Sequence, residues 1–247
     1  GYNIMGDKIV DFHRFQPIKG MYKFPTQVSY DDLHDIYTRA LSRYKAMGVD
    51  KWKGTIYQGM HFSNEYSMTG YSSDGVIFDS YRKLPLCYLD KVKNKNVLDL
   101  GCNEGFFSFQ SALLGANRVD SVDTCSQDIS LAKDIQGALN LNQIHFHNTK
   151  ADAFVSETDQ KYEVTFLLSV LHQIYPNMKK GVDKFLRNIS KKTKYMIFET
   201  PMNHPLMKIT KKAVKAKLKK HFKIVRFMHQ YNAYSSGYRL LYVCFNG

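Results

Sequence analysis

The sequence VLDLGCNEGFF, residues 97–107, decides the fold of this chain. Its first half is a short apolar run typical of a buried strand, and its second half holds two glycines in a turn that leads into a helix. Gly101 and Gly105 allow the positive φ of such a turn and the close approach of a ligand to the backbone. Because the first N–H groups of a helix have no partner within it, they point towards that ligand. We therefore predict a site for a nucleoside-containing cofactor.

Strand and helix patterns alternate around this turn. Seven strands are predicted, at residues 96–100, 118–122, 143–147, 163–168, 195–199, 222–227 and 238–244. The first five are separated by helical patterns, which predicts βαβ units and a parallel sheet. The last two are joined by too few residues for a crossover helix, so we expect an antiparallel hairpin. The predicted class is α/β, with a Rossmann-like, seven-stranded, mostly parallel sheet and a C-terminal antiparallel hairpin.

Helical periods fill the gaps between these strands. The helix after Gly105 should end at Gly115, since glycine is favoured just past a helix end. Further helices are predicted at residues 129–139 and 178–189. A basic amphipathic helix at 206–221 carries seven lysines. Either a solvated outer face or a track for nucleic-acid phosphates would explain them.

Residues 1–92 are predicted to form an N-terminal helical and lid region, and residues 93–247 the cofactor-binding domain. A helix with a capping sequence is expected within 29–48. Residues 52–75 are rich in Gly, Ser, Tyr and Asn without a clear period, which is typical of a lid or binding loop. A further helix at 77–92 should lead into the first strand of the sheet.

Composition restricts the partners and the compartment. The net charge of +13 and the isoelectric point of about 9.4 favour anionic partners: nucleic acid such as RNA, phosphorylated metabolites, acidic glycans or membrane surfaces. The four cysteines form no CxxC pair, so we predict reduced thiols, a cytoplasmic location and no metal site. No apolar run approaches the ~20 residues of a membrane span.

The spacing of the glycines separates two cofactor classes. Dinucleotide-binding folds use GxGxxG, whose middle glycine lets the pyrophosphate approach, but Asn103 occupies that position here. The pattern Asp-x-Gly-x-x-x-Gly, residues 99–105, instead resembles the turn of the class I methyltransferases that use S-adenosylmethionine (SAM). The resemblance implies that SAM is the cofactor. Its amino-acid tail would then lie along the turn, at Asp99, Gly101, Cys102, Asn103 and Gly105.

A second acidic position supports the same cofactor. Asp123 follows the second predicted strand, where a carboxylate can accept hydrogen bonds from both ribose hydroxyls. The same residue would also suit the cap of the next helix, although Thr124 or Ser126 could serve there instead. We predict the ribose role for Asp123, with Thr124 beside it. Asp120 is the less suitable acid because it lies before the strand's end.

Two more positions follow the third and fourth predicted strands. The resemblance implies that Asp152 binds the adenine amino group and that Phe154 or Ala153 packs against the ring, although a loop aspartate is commonly a turn residue. The fourth strand ends in SVLHQI, residues 169–174, which resembles the strand end of several methyltransferases. Ligands of open α/β sheets bind beyond the carboxyl ends of the strands. Ser169 is therefore predicted to border the cofactor, and His172 the reaction centre.

His172 is the predicted general base, because its position and its ordinary titration range suit proton transfer. A structural histidine that starts a helix beside the cofactor loop is an equally good interpretation. Glu199, at the end of the fifth predicted strand, is expected to orient His172, to bind the acceptor, or to act as a structural cap. Four residues in or after the lid are candidates for contact with the acceptor or the cofactor: His61, Tyr66, Tyr71 and Arg82.

The motifs resemble three groups of methyltransferases. The turn at residues 97–108 together with the SVLHQI strand end is similar to enzymes that modify the termini of bacterial polysaccharides. Lys83-Leu84-Pro85 is similar to the tRNA wobble-uridine carboxymethyltransferases, and the turn alone resembles that of RNA phosphate-capping methyltransferases. We predict a SAM-dependent O-methyltransferase with a small-molecule or glycan-type acceptor, anionic acceptors included. A methyltransferase acting on tRNA or an RNA 5′ end, and a non-catalytic methyltransferase-like partner subunit, are the alternatives.

Overall fold

A seven-stranded sheet forms the centre of the structure. The computed structural model describes residues 2–5, 8–11, 29–48, 56–62, 66–68, 87–232 and 237–247. Their strands are β1 (Tyr2–Met5), β2 (Lys8–Asp11), β3 (Met60–His61), β4 (Ser67–Met68), β5 (Asn96–Leu100), β6 (Arg118–Asp123), β7 (Ile144–Asn148), β8 (Tyr162–Leu168), β9 (Thr193–Met202), β10 (Ile224–Asn232) and β11 (Tyr238–Phe245). The large sheet has the order β10-β11-β9-β8-β5-β6-β7, and β1 with β2 and β3 with β4 make two separate pairs.

The strand directions agree with the sequence prediction. Strands β5 to β9 pair in parallel, and β11 runs antiparallel to both β9 and β10. The Rossmann-like class with a C-terminal antiparallel hairpin is therefore confirmed. The parallel strands place their carboxyl ends at one edge of the sheet, which is where ligands of such sheets bind.

Helices cover both faces of this sheet. The described α-helices are α1 (Tyr30–Ala46), α2 (Phe106–Leu113), α3 (Ser126–Leu139), α4 (Ala151–Glu157), α5 (Leu171–Ile174), α6 (Val182–Lys192) and α7 (Lys211–Lys219). Val97 and Val119 belong to the buried cluster with α1, α2 and α3, whereas Leu98 and Val122 belong to the cluster with α6 and α7. Successive strand residues thus alternate between two covered faces. None of the helices described is long and apolar enough to cross a membrane.

The N-terminal region packs on the sheet domain through α1. Ser29 caps this helix as predicted, since its side chain accepts a backbone N–H of the first turn. The hydroxyl of Tyr44 donates to Asp128 at 2.5 Å, and Arg43 lies 3.3 Å from Asp134. Because both acids belong to α3, these contacts hold α1 against the helix that follows β6.

Two helices begin later than predicted, each for a local reason. The basic helix α7 begins at Lys211 rather than at residue 206, because the Thr210 side chain accepts a backbone N–H of its first turn. Helix α6 begins after Gly181 rather than at residue 178. The φ of +97° at Gly181 is incompatible with a right-handed helix, so the two segments cannot be continuous.

The described parts of the N-terminal region contain strands as well as α1. Strands β1 to β4 are extended, and the helix predicted at 77–92 falls mostly outside the described residues. Within that range, residues 89–91 form only a short 3₁₀ helix. The predicted lid loop at 52–75 is described at 56–62 and 66–68, where it contains the β3–β4 pair.

Candidate active site

Several predicted site residues meet at the carboxyl edge of the sheet. The last residue of β5 lies opposite Val122 of β6 and Leu167 of β8. The residues that come next, Gly101, Asp123 and the Leu168–Ser169 pair, therefore adjoin one another across three neighbouring strands. The sequence predicted this meeting from strand ends alone.

Two glycines give the turn its shape. Gly101 has a φ of +70° and Gly105 a φ of +91°. A Cβ atom on Gly101 would lie 2.3 Å from Cγ2 of Val170, much closer than real carbon atoms approach. Asn103 between them also has a positive φ, +53°, which asparagine tolerates better than most residues. The turn is therefore fixed by backbone conformation and by the side chain packed beneath it.

Asp123 ties this turn to the start of α3. Its Oδ2 accepts the N–H of Asn103 and its Oδ1 accepts the N–H of Cys125, each at 2.9 Å. Asp123 therefore has a structural role, but it is not the N-cap of α3, which is Cys125. Each carboxylate oxygen has a second acceptor position, and the side chain is only half-buried, so capacity for ribose hydroxyls is left. The ribose role stays a prediction, and Thr124 lies exposed beside it.

Asp120, the competing acid, serves the interior instead. Arg118 donates to its carboxylate at 2.9 and 3.0 Å, Tyr162 donates at 2.8 Å, and His147 Nε2 lies at 2.9 Å. Burial alone would raise the pKa of Asp120, but these partners hold that pKa well below its usual range. An acid so fully engaged is not available to a ligand.

Asp99 lies beneath the turn rather than on its surface. Ser108 Oγ donates to Asp99 Oδ2 at 2.7 Å, and Ser121 Oγ lies 2.6 Å from Ser108 Oγ. Because the one hydroxyl proton of Ser108 goes to the carboxylate, Ser121 donates the second bond. Burial, reinforced by the charge of Asp123, raises the pKa of Asp99 to about 7. Cys102 is buried as well, so contacts of Asp99 and Cys102 with a cofactor tail are left mainly to their backbone atoms.

Asp152 and Ala153 lie in the first turn of α4, after β7. Asp152 Oδ1 accepts the N–H of Ala153 at 2.9 Å, and its Oδ2 accepts the hydroxyl of Tyr175 at 3.3 Å. The rings of Phe154 and His147 pack next to them with centroids 4.6 Å apart. Asp152 and Ala153 are both half-buried, and the strand that precedes them, β7, pairs with β6, which ends at Asp123. The adenine role of Asp152 and Ala153 stays a prediction.

Ser169, Glu199 and Arg239 form a polar network across β8, β9 and β11. Ser169 has a φ of +57°, its N–H donates to the carbonyl of Glu199 at 2.9 Å, and its hydroxyl donates to the carboxylate. Arg239 Nη1 lies 3.6 Å from Oε1 of the buried Glu199. Arg239 was not predicted as a site residue, although a lone arginine in the apolar strand YRLLYVCF indicates a buried charge.

The prediction that Glu199 ends its strand is wrong, because pairing with β11 extends β9 to Met202.

His172 faces His204, a residue that the sequence analysis missed. Their ring centroids are 4.9 Å apart at 79°. Burial, reinforced by His204 and Arg239 and opposed by Glu199, lowers the pKa of His172 to about 4. The folded chain therefore keeps His172 neutral until the pH falls to about 4, whereas the unfolded chain protonates it near 6.5. This difference favours unfolding as the pH falls from 6.5 towards 4.

Glu104 has no role in the sequence analysis, yet the structure buries it within the turn. Its carboxylate accepts the backbone N–H of Tyr57 at 2.6 Å and of Gln58 at 3.2 Å. Gln58 Oε1 in turn accepts the N–H of Phe106, the first residue of α2, at 3.4 Å. Burial and the charge of Asp128 raise the pKa of Glu104 to about 8. The sequence feature that could have indicated this role is a charged residue inside the turn, directly before Gly105 and two phenylalanines.

Tyr66 is the lid candidate whose side chain the structure describes. Its ring stacks on Tyr30 with centroids 6.1 Å apart and meets His34 edge-on at 6.4 Å. It therefore packs against α1, and burial raises its pKa to about 12. The other candidates lie outside the described residues: Tyr71, Arg82 and the side chain of His61.

The sheet order and the glycine turn after β5 are those of the class I methyltransferase fold. The chain belongs to the family described as "Methyltransferase domain", which matches residues 91–237, more than half of its length. Ribosomal RNA large subunit methyltransferase K/L from Shewanella oneidensis is 26% identical over 191 residues, which cover 67% of this chain and 26% of that protein.

Solved structures share the fold at low identity. WbdD, described as a bifunctional kinase-methyltransferase, superposes with a TM-score of 0.58 at 20% identity, over 68% of this chain and 40% of WbdD. EvdMO1 gives 0.59 at 11% identity, over 90% of this chain and 49% of that one. PH1948 from Pyrococcus horikoshii, described as a putative RNA methyltransferase, gives a TM-score of 0.50 at 16% identity, over 68% of this chain and 83% of that one. The chain thus spans about a quarter of the ribosomal RNA enzyme and two fifths of WbdD.

The residues at the sheet edge fit the cofactor that this family uses. Asp99, Asp123 and Asp128 all lie close enough to Cys102 to reinforce the effect of burial, which raises the pKa of its thiol. Acids therefore converge on the turn, although the chain as a whole has a net charge of +13. SAM carries positive charge on its sulfur and its amino group, and a cation here would relieve the repulsion among these acids.

We expect Asp123→Ala to weaken SAM binding at least about tenfold in calorimetry, since a hydrogen bond to a charged group contributes about 1.5–3 kcal/mol. Because Asp123 also holds the turn, the ribose contribution needs a second measurement. S-adenosylhomocysteine is compared with its 2′-deoxy analogue on both proteins. If the carboxylate binds the ribose, loss of the hydroxyl costs the wild type more affinity than the variant. Equal costs would assign Asp123 to the turn alone.

Proposed function

We propose that this chain transfers the methyl group of SAM to an anionic oxygen of a small-molecule or glycan-type acceptor. The observation that supports this most is the pair formed by neutral His172 and cationic Arg239 at the carboxyl edge of the sheet. A neutral imidazole beside a guanidinium suits an acceptor that brings its own negative charge.

The pKa of His172 argues for an acceptor oxygen that is already ionised. General bases act best when their pKa lies near the working pH. With a pKa of about 4, His172 is a poor proton acceptor for an alcohol. A phosphate or carboxylate oxygen needs no base, and a guanidinium can bind such a group through two parallel hydrogen bonds. His172 would then position the acceptor rather than deprotonate it.

The other site residues would align the two substrates. When bound, SAM supplies an electrophilic methyl group on a positively charged sulfur. Asp123 would hold the ribose, Asp152 the adenine amino group, and the turn beginning at Gly101 the amino-acid tail. Ser169 and Glu199 would shape the space between cofactor and acceptor. Since methyl transfer is an in-line displacement, this alignment supplies much of the rate.

RNA is the second candidate acceptor, and α7 is the observation that favours it. The helix carries five lysines within Lys211–Lys219, and one relative is named as a ribosomal RNA methyltransferase. Two of these lysines have local partners: Lys217 lies 3.1 Å from Asp183, and Lys211 lies 3.7 Å above the ring of Phe227. Such contacts are typical of a solvated outer helix, so the anionic small-molecule or glycan reading has the better support.

Transfer of a radiolabelled methyl group from SAM to separated pools of glycans, small acidic metabolites and RNA tests the proposal. We expect label in the glycan or metabolite pool, and we expect His172→Ala to lower that transfer far more than SAM affinity. Label in RNA, with binding that weakens steeply as salt rises, would support the RNA candidate instead. Tight SAM binding without transfer to any pool would support the non-catalytic partner subunit.

A further inference from the structure

A short segment of the N-terminal region lies directly on the cofactor turn. Ile56 is fully buried in the cluster beneath α1, and the two residues after it donate their backbone N–H groups to Glu104. Glu104 is itself within the turn, between Asn103 and Gly105. The segment 56–58 is thus joined to the cofactor site by hydrogen bonds and not only by packing.

The side chain of Gln58 has a defined orientation. Its Oε1 accepts the N–H of Phe106 at 3.4 Å, which only the oxygen of a carboxamide can do. The two N–H donors of the carboxamide are therefore on its other branch, away from that N–H. Gln58 is half-buried, so part of its side chain is exposed beside the start of α2.

We propose, on the basis of the proposed function, that residues 56–58 form a third wall of the SAM site. In this arrangement Gln58 donates from its carboxamide to the carboxylate of the amino-acid tail. Glu104 is the positioning residue, because it holds the backbone of Tyr57 and Gln58 against the turn.

Charge explains why such a donor is needed. Asp123 and Asp128, two of the acids that converge on the turn, suit the sulfonium and the ammonium group of SAM. The same acids repel the carboxylate of the tail. Neutral donors satisfy that carboxylate without a further charge, and the backbone N–H groups in the first turn of an eight-residue helix such as α2 are suitable partners. Gln58 adds a side-chain donor at the same place.

The sharpest test replaces Gln58 with glutamate. Gln58→Glu keeps an oxygen for the N–H of Phe106, and a carboxylate at a helix N-terminus is favourable, so capping is preserved. Its charge would oppose the tail carboxylate. We expect calorimetry to show SAM affinity at least about tenfold lower, with the affinity for 5′-methylthioadenosine, which lacks the tail, unchanged. Gln58→Met, which removes the donors without adding charge, should show the same selectivity with a smaller loss.

Glu104→Gln tests the positioning role, because its amide N–H₂ group would oppose one of the two backbone N–H donors. In the wild type, SAM should slow hydrogen exchange at Tyr57 and Gln58 more than 5′-methylthioadenosine does, since binding and ordering are reciprocally coupled. This difference should shrink in the variant, together with SAM affinity. Arg43→Met is the matched control: it removes a contact between α1 and α3 and touches no turn residue, so its SAM affinity should equal that of the wild type.

Two outcomes separate this inference from the function on which it rests. If the wild type binds SAM and both Gln58 variants bind it equally well, Gln58 is only a helix cap and the third wall is refuted. If the wild type binds neither SAM nor 5′-methylthioadenosine, the proposed function itself fails.

Discussion

Gly101→Ala is expected to lower SAM affinity by at least about 100-fold, a loss of about 3 kcal/mol of binding free energy. The added Cβ would lie 2.3 Å from Cγ2 and 3.2 Å from Cβ of Val170. Valine is short and stiff at χ1, so the clash cannot be relieved by rotation alone. A left-handed backbone costs an alanine a further ~1–2 kcal/mol. The turn must therefore move, and calorimetry with SAM measures the consequence.

Two further variants separate the clash from the backbone strain. The double substitution of alanine at Gly101 and Val170 removes the clash but keeps the φ of +70°, so we expect partial recovery of SAM affinity. Gly137→Ala in α3 is the control, because nothing lies within 4 Å of its added Cβ and alanine favours a helix by up to ~1 kcal/mol. It should raise the melting temperature and leave SAM affinity unchanged. Wild-type affinity in Gly101→Ala would show that the turn does not contact the cofactor.

The sequence predicted the sheet well because each strand carried its own signal. The five parallel strands are apolar runs between helical periods. This alternation indicates that the strands are buried and run in the same direction. The short link after β10 fixed the antiparallel hairpin. Helix starts were harder, because they depend on single residues such as Thr210 and Gly181, whose effects compete with a longer amphipathic period.

The candidate site could be predicted only where it follows the strand ends. Gly101 and Ser169 come directly after strands and Asp123 is the last residue of one, so topology brings them together. Arg239 and His204 reach the same edge from distant parts of the chain, and no local pattern relates them to His172. Gln58 is more remote still, since its contact with α2 depends on how the N-terminal region packs.

Asp123 shows how one residue can satisfy two readings of a sequence. Its position in the sequence suits either a ribose ligand or a helix cap, and the structure gives the carboxylate a backbone partner on each oxygen. Those partners fix its orientation and leave acceptor positions open. The structural role is therefore compatible with the predicted ribose role, and loss of the side chain cannot by itself distinguish the two.

Glu199→Ala is expected to lower the free energy of unfolding by about 3–5 kcal/mol, because it leaves a largely buried arginine without its carboxylate. The Arg239 side chain is only 12% exposed and Glu199 is fully buried. The substitution also removes the acceptor of the Ser169 hydroxyl, whose backbone is held at positive φ. Urea unfolding measures the loss, and a change of less than about 1 kcal/mol would contradict the prediction.

The double substitution Glu199→Gln with Arg239→Met then distinguishes a structural role of these two residues from a role in binding the acceptor. With both charges gone no unpaired ion is buried, so stability should largely return, whereas methyl transfer should stay low because the acceptor has lost its guanidinium. Asp120→Asn is the matched control, since it disturbs another buried carboxylate bound by an arginine, three residues before the carboxyl end of β6. It should cost stability and leave the methyl transfer of the folded protein intact. Recovery of both stability and transfer in the pair would show that Glu199 and Arg239 only hold each other, and the acceptor's charge would then need another partner.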